Sequence, residues 1–304
     1  MCRQQTILKN LELRAEIIAA VRRYFIKNDY LEVETPHRIP SPAPEAHIDA
    51  VRSGAWYLHT SPELCMKRLL AAGYTRIFQI CKCFRQNERG RRHLPELTLL
   101  EWYTAGDDYL AMMRQCERLV SAVVRSLGRD AVLSYQGGRI DLAPPWERMT
   151  VERAFEAFAS ISLGQSLEEG VFDDVLAFEV EPRLGKERPL FLYDYPGALG
   201  SLARRKPGHP ELAERFELYI AGLELCNAFS ELADSHEQRT RFEKEREARR
   251  RAGKDDYPLP ENFLEALKAM PPAAGNALGV DRLVMLFVDT ACIDDVVAFT
   301  PEEL

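Results

Sequence analysis

Apolar residues recur along the chain with two periods, and the switches between them mark its elements. Leu13, Ile17, Val21 and Tyr24 fall at helical spacing, which predicts an amphipathic helix over 11–27. Tyr30 to Pro36 reads as a short strand that its proline stops. Residues 37–50, rich in proline and alanine, read as a loop, and Trp56 to His59 as another short strand. Ser61 has N-cap chemistry, with Pro62 at the first helical position, for a helix to about Ala72 that Gly73 ends. The period then becomes two. Phe78, Ile80 and Phe84 alternate before a charged loop, and Leu97, Leu99, Glu101 and Tyr103 share one face of the return strand. A carboxylate beside a phenol is out of place on a plain core strand.

Helical spacing returns from Asp108 to Leu127. Residues 128–145 have turn chemistry and a weak strand, and about 149–186 read as a helical insertion. Phe191 to Pro196 is a strand, and Arg204 to Pro210 a basic, proline-punctuated loop. Within Arg215 to Leu232, Ala221-Gly222 fits a two-residue hairpin turn that sets Tyr219 opposite Glu224. Glu217 and Glu224 then become diagonal neighbours on one face. Two carboxylates held together repel unless a cation sits between them, and hard oxygen ligands suit magnesium. Asn227, Phe229 and Glu231 have the opposite parity. They join that face only if the strand bulges near Cys226. Asp234 to Ala252 is a highly charged helix, read as mostly solvated, and 253–262 is a loop. Ala274 to Met285 reads as a glycine-flanked strand leading into a helix, where backbone can approach a ligand closely.

Composition narrows the class. The 304 residues are 46% hydrophobic, enough for a substantial core. A net charge of −7 argues against a nonspecific nucleic-acid binder, although local basic patches occur at 89–93, 204–206 and 249–254. Seven cysteines, an odd number mostly in apolar runs, read as reduced thiols of a cytoplasmic protein. Cys81-Lys82-Cys83 lacks a second pair at zinc-finger spacing, so no structural zinc is expected. No signal peptide is evident, and no apolar run approaches the ~20 residues of a membrane span.

Four stretches carry a family resemblance: TSPELCMKRLL, FRQNERGRRHLPELTLLEWY, RFELYIAGLELCNAFSELAD and ALGVDRLVML. Together they resemble the catalytic domain of class II aminoacyl-tRNA synthetases, in the lysine branch. The region ending at Pro36 resembles motif 1, Phe84 to Leu97 motif 2, and Gly275 to Arg282 motif 3. The helix predicted from residue 11 leaves no room before it for an anticodon-binding OB-fold. In this the chain is similar to the truncated lysyl-tRNA synthetase paralogues that ligate (R)-β-lysine to elongation factor P. The resemblance implies an α+β fold, an antiparallel sheet flanked by helices, as one catalytic domain over 1–304. It implies ATP and Mg²⁺ as cofactors, β-lysine or lysine as substrate, and elongation factor P as protein acceptor. It also implies a homodimer through motif 1, with no tRNA anticodon binding.

The resemblance also assigns roles. Arg85 and Arg282 are the catalytic cations. ATP falls to Arg85, Asn87, Glu88, His93, Leu97, Glu217, Glu224 and Arg282, with Glu217 and Glu224 holding the metal. The amino acid falls to Ser61, Glu63, Arg85, Glu101, Tyr103, Asn227, Phe229, Glu231, Ala277 and Gly279. Arg89, Arg91 and Arg92 are expected to steer the acidic acceptor protein. The chain departs from the family's pattern at Asn87, where glutamate is common, at Leu97, where a phenylalanine stacks on adenine, and at Ala228 and Ala277, where glycine is usual. The methyl of Ala277 would crowd an α-ammonium and spare a β-ammonium. Two alternatives stand beside this reading: a lysyl-tRNA synthetase-like enzyme acting on tRNA, and a non-catalytic regulatory paralogue.

Overall fold

The computed structural model describes residues 2–304, and in it the stretches of period two pair into one nine-stranded sheet. Its strands are β1 (Leu31–Glu32), β2 (Arg76–Phe84), β3 (Glu96–Ala105), β4 (Glu147–Thr150) and β5 (Leu190–Pro196). They continue with β6 (Arg205–Lys206), β7 (His209–Ile220), β8 (Leu223–Ser230) and β9 (Ala273–Gly279). The spatial order is β1-β2-β3-β9-β8-β7-β5-β4, with β6 paired to β7. The late strand β9 slots between two hairpins, antiparallel to β3 on one side and β8 on the other. Only the two outer pairs, β1 with β2 and β4 with β5, run parallel.

Five longer helices matter for the site: α1 (Leu8–Lys27), α2 (Glu63–Ala71), α3 (Tyr109–Ser126), α4 (Ser235–Arg251) and α5 (Val280–Val288). The faces of α1, α3 and α5 cover one side of the sheet. Ile17, Phe25, Phe78, Trp102, Met112, Phe216 and Leu283 form its core there. Helix α3 begins cleanly because the Asp108 carboxylate accepts from Ala111 N at 2.7 Å. On the other side, α2 packs with Phe242 of α4 and with Phe263 and Leu267 against Ile77 and Tyr103. The rest of that side is left open, and Glu101 of β3 and Glu224 and Asn227 of β8 line the opening.

The chain departs from its sequence pattern in several places. Helix α1 starts at Leu8, three residues earlier than its periodicity predicts. The strand expected over Tyr30–Pro36 is only Leu31–Glu32, paired with Ile77 and Phe78. Helix α2 starts at Glu63, and Pro62 occupies the cap position; the Ser61 hydroxyl still accepts from Glu63 N at 3.0 Å. In the 149–186 region the first two residues belong to β4, and helical turns follow from Val151 to Arg183. The expected basic loop at Arg204–Pro210 is a hairpin, with Gly208 at φ +79° in its turn. No helix among the described residues is long and apolar enough to cross a membrane.

Candidate active site

Hairpin β7–β8 shows how the site is assembled. Ala221 and Gly222 take φ of +56° and +72°, the left-handed pair that a two-residue turn requires. Ile220 faces Leu223 and Tyr219 faces Glu224, but Leu218 faces Cys226, so Leu225 is an extra residue. This is the expected bulge. Beyond it Glu217 pairs with Asn227, and Asn227 and Phe229 join Glu224 on the open face. β9 runs alongside with Asn227 opposite Ala277, and Ala277 opposite Glu101 of β3.

The opening is a cavity of about 350 Å³ with two chemically distinct ends. Ser61, Glu63, Glu101, Tyr103 and Phe229 line one end, and Arg85, Glu88, His93, Leu97, Glu224 and Arg282 the other, with Asn227, Ala277 and Gly279 between. Of the expected site residues, Asn87, Glu217 and Glu231 do not line it. Asn87 sits at φ +66° in the loop tip, a conformation asparagine tolerates better than glutamate. Glu231 lies just behind Tyr103. Gly275 makes room for both, since a Cβ there would stand 2.3 Å from Glu231 Oε1 and 2.3 Å from the Tyr103 ring.

At the carboxylate end, Glu101 accepts from the Ser61 hydroxyl at 2.5 Å and from the Tyr103 hydroxyl at 3.0 Å. Burial, with the charge of Glu63, pushes its pKa well above the usual carboxylate range despite those two donors. Burial likewise takes Glu231 to about 8 and Glu45, a cavity residue of the 37–50 loop, to about 7. Such acids gain most when a cation arrives. The loop bearing Glu45 is fixed by Arg249, whose Nη1 donates to Glu45 O at 2.8 Å and Ile48 O at 3.0 Å. Arg249 is 0% exposed and stacks on Tyr257, so the predicted solvated helix α4 has one buried side.

At the cationic end, Arg282 donates to Glu224 Oε2 at 3.0 Å and to His93 Nε2 at 2.6 Å. Burial and the Arg282 charge lower the His93 pKa, which keeps that nitrogen an acceptor. For Glu224, burial raises the pKa but the Arg282 charge and hydrogen bond outweigh it, so it stays ionised. Arg85 is far less engaged. Its Nη1 is 3.7 Å from Glu88, and its buried Nε has no hydrogen-bond partner among the described residues. A guanidinium held this loosely is ready for an anionic ligand.

Glu217 is occupied differently from Glu224. It accepts from Tyr195 at 2.6 Å, Tyr219 at 2.7 Å and Arg215 at 2.6 Å. Arg215 also donates to Asn227 Oδ1 at 3.1 Å and lines the cavity. Sequence reasoning passed over Arg215, although Arg215, Glu217 and Tyr219 share one strand parity. It also passed over Lys67, one helical turn after Glu63.

Two further expectations meet the structure here. His59, Cys81 and Cys83 do gather, with ligand atoms within 4.8 Å of one another. Yet His59 Nε2 is 2.7 Å from Lys82 O, so its proton is spent on that carbonyl and no lone pair faces the thiols from this nitrogen. The basic patches are also partly spent, although Arg91 and Arg92 pair with no carboxylate among the described residues. Arg89 pairs with Asp294 at 2.9 Å and Glu302 at 2.7 Å, and Lys206 pairs with Asp194 at 2.5 Å.

Antiparallel strands that gather an arginine pair, an acid-lined pocket and a glycine-flanked strand around one cavity define the class, and the comparisons agree. Residues 1–303 match the family described as tRNA synthetases class II (D, K and N), and the chain belongs to it. A relative named elongation factor P–(R)-β-lysine ligase, from Pectobacterium carotovorum, is 40% identical over 96% of this chain and 95% of its own length. One of the same name from Edwardsiella ictaluri is 39% identical over 96% and 94%. The lysine–tRNA ligase of Moorella thermoacetica is 38% identical over 94% of this chain, which spans 64% of that longer protein. The chain is thus an ATP-dependent ligase of the class II synthetase family.

Proposed function

We propose that this chain activates (R)-β-lysine with ATP as an acyl-adenylate and transfers it to a lysine ε-amine of elongation factor P. The observation that carries this reading is the two-ended cavity, with carboxylates for ammonium groups at one end and the loosely held Arg85, beside Arg282, for phosphate and carboxylate at the other. In this reading Arg85 grips the α-phosphate and the substrate carboxylate. The carboxylate oxygen attacks the α-phosphorus, and pyrophosphate leaves toward His93 and Arg282. The acceptor's ε-amine then attacks the adenylate carbonyl and expels AMP. The protein's work is positioning and charge neutralisation. Mg²⁺, when bound, would supply further neutralisation at the phosphates. Glu224 lines the cavity and fits that ion; Glu217, saturated by two phenols and Arg215, fits it only if those donors rearrange.

The test is a mass shift on elongation factor P after incubation with ATP and each lysine isomer. No shift with either isomer would overturn the reading. Similarity to a lysine–tRNA ligase over 94% of the chain favours one rival, an enzyme acting on tRNA. Charging of tRNA by the purified chain would establish that rival instead. The chain is further proposed to pair with a second copy through 11–36, where β1 is a sheet edge and Ile26 and Leu31 are 61% and 52% exposed.

Two predictions arise here. Glu224→Gln keeps the hydrogen bond to Arg282 but loses a charge, so pyrophosphate exchange should fall and be partly recovered by excess Mg²⁺. Normal exchange at physiological Mg²⁺ would remove Glu224 from the metal. Ala277→Gly removes the methyl between Glu101 and Asn227. It should raise kcat/KM for α-lysine relative to β-lysine by roughly tenfold or more, the scale of small changes in pocket size. An unchanged ratio would take Ala277 out of specificity.

A further inference from the structure

One ammonium group already sits directly behind the carboxylate end of the cavity. It belongs to Lys67, which is 1% exposed. Helix α2 sets Lys67 one turn after Glu63, on the same face. Its Nζ touches Glu63 Oε1, lies 2.5 Å from Glu231 Oε2, and is 5.0 Å from the centre of the Phe229 ring. Burial pulls an amine toward neutrality, but the two carboxylates outweigh it and raise the Lys67 pKa. Lys67 therefore stays charged. A single nitrogen fixes two acids that arrive from different elements.

Lys67 leaves acceptor capacity unused at this end. Glu231 Oε1 is buried without a hydrogen-bond donor among the described residues. Glu101 is held only by the neutral hydroxyls of Ser61 and Tyr103. With Glu63, Glu101 and Glu231 ionised and Glu45 protonated, three carboxylates and one ammonium leave a formal charge of −2 (1 − 3) at this end. A diamino acid brings two ammonium groups, and its carboxylate has Arg85 at the other end.

We infer that Lys67 is a specificity-determining positioning residue: by fixing Glu63 and Glu231 and cancelling one of three carboxylate charges, it matches this end of the cavity to a substrate with two ammonium groups. The inference rests on the proposed reading of the cavity as a diamino-acid site. An ordinary buried ion pair would stabilise the fold without setting the pocket's charge, and the two roles predict different results.

The experiment measures pyrophosphate exchange, with KM and kcat separated, for wild type, Lys67→Met, Glu231→Gln and the double variant. The substrates are β-lysine, α-lysine and ε-aminocaproate, which carries a single ammonium. Lys67→Met should raise KM for the preferred lysine isomer roughly tenfold or more, with little change in kcat. Its kcat/KM should also need a higher pH. Glu231 is faced by Lys67 and Glu63 from α2 and by Tyr103 from β3. Losing Lys67, the one cation among them, raises its pKa further, so the ionised form appears later as pH rises. The double variant keeps Glu63 and Glu101 and so returns to −2, whereas Glu231→Gln alone leaves −1 (1 − 2). The double variant should therefore bind the two-ammonium substrate more tightly than either single variant. That comparison with Glu231→Gln stands even if Lys67→Met fails to fold. Losses that simply add, or a double variant weaker than Glu231→Gln, would show a structural pair and overturn the inference. Wild type without exchange on any lysine isomer would instead overturn the reading of the cavity.

Discussion

Replacing Arg85 with alanine is expected to lower amino-acid-dependent pyrophosphate exchange by about 10²–10³-fold, the usual loss when one preorganised charge donor is removed from a reacting centre. The melting temperature should hardly move. Arg85 makes only a loose contact to Glu88 at 3.7 Å, so its removal strands no buried acid. Lysine at the same position should recover part of the rate and no more, because an ammonium cannot present two parallel donors to a phosphate or carboxylate. The contrast with Arg282 is informative. Removing Arg282 would also leave Glu224 and His93 without their shared donor, so activity and structure would fall together. Single-turnover adenylate formation, compared with thermal melts, separates the two cases. An Arg85→Ala chain with near-normal exchange would mean that the phosphates bind elsewhere.

The second large effect is expected from Gly275→Ala. The added Cβ would lie 2.3 Å from Glu231 Oε1 and from the Tyr103 ring, both well inside van der Waals contact. Neither neighbour can give way easily. Tyr103 is 3% exposed and its hydroxyl is bonded to Glu101, while Glu231 is held by Lys67. Gly275 pairs with Tyr103 on one side and Phe229 on the other, so any retreat must spread the sheet. Overpacking of this kind costs about 1–3 kcal/mol where side chains can adjust, and the upper part of that range is expected here. The urea midpoint should fall accordingly, and KM for the amino acid should rise because Tyr103 lines its pocket and Glu231 lies directly behind it. A variant of unchanged stability would mean that the strands around β9 are more pliable than their pairing indicates.

How far could these features be read from the sequence? Strand β3 is legible from its alternation, and the site on it from Glu101 and Tyr103, a carboxylate and a phenol on an otherwise apolar face. The β7–β8 bulge followed from parity alone, since Glu224 and Asn227 cannot otherwise share a face. The amphipathic helices and the glycine-flanked β9 were equally clear. The hidden residues are those whose role depends on distant partners. Lys67 looks like a surface charge until Glu231 arrives from 164 positions further along the chain, as the numbering shows. Arg249 lies in a run of charges that reads as solvated, and only the 45–49 loop folding over it reveals its burial. The basic tip of the β2–β3 loop looked free for docking, but Arg89 is taken by Asp294 and Glu302 near the other end of the sequence. Periodicity records which way a side chain faces, and it carries no information about what waits there.

The extra residue at Leu225 bears on how this strand can change length. With Leu225 present, Glu224, Asn227 and Phe229 share a face only because the strand absorbs one residue out of step. Deleting Leu225 would leave the same partners opposite one another and restore plain alternation, so no side chain would change faces. A residue inserted between Asn227 and Glu231 has no such refuge: every position beyond it would turn over, sending the pocket groups into the core and core groups into the pocket. In register, therefore, the strand can lose one residue only at Leu225, where the cost is that buried side chain, and beyond Asn227 it keeps its faces only when residues are added in pairs.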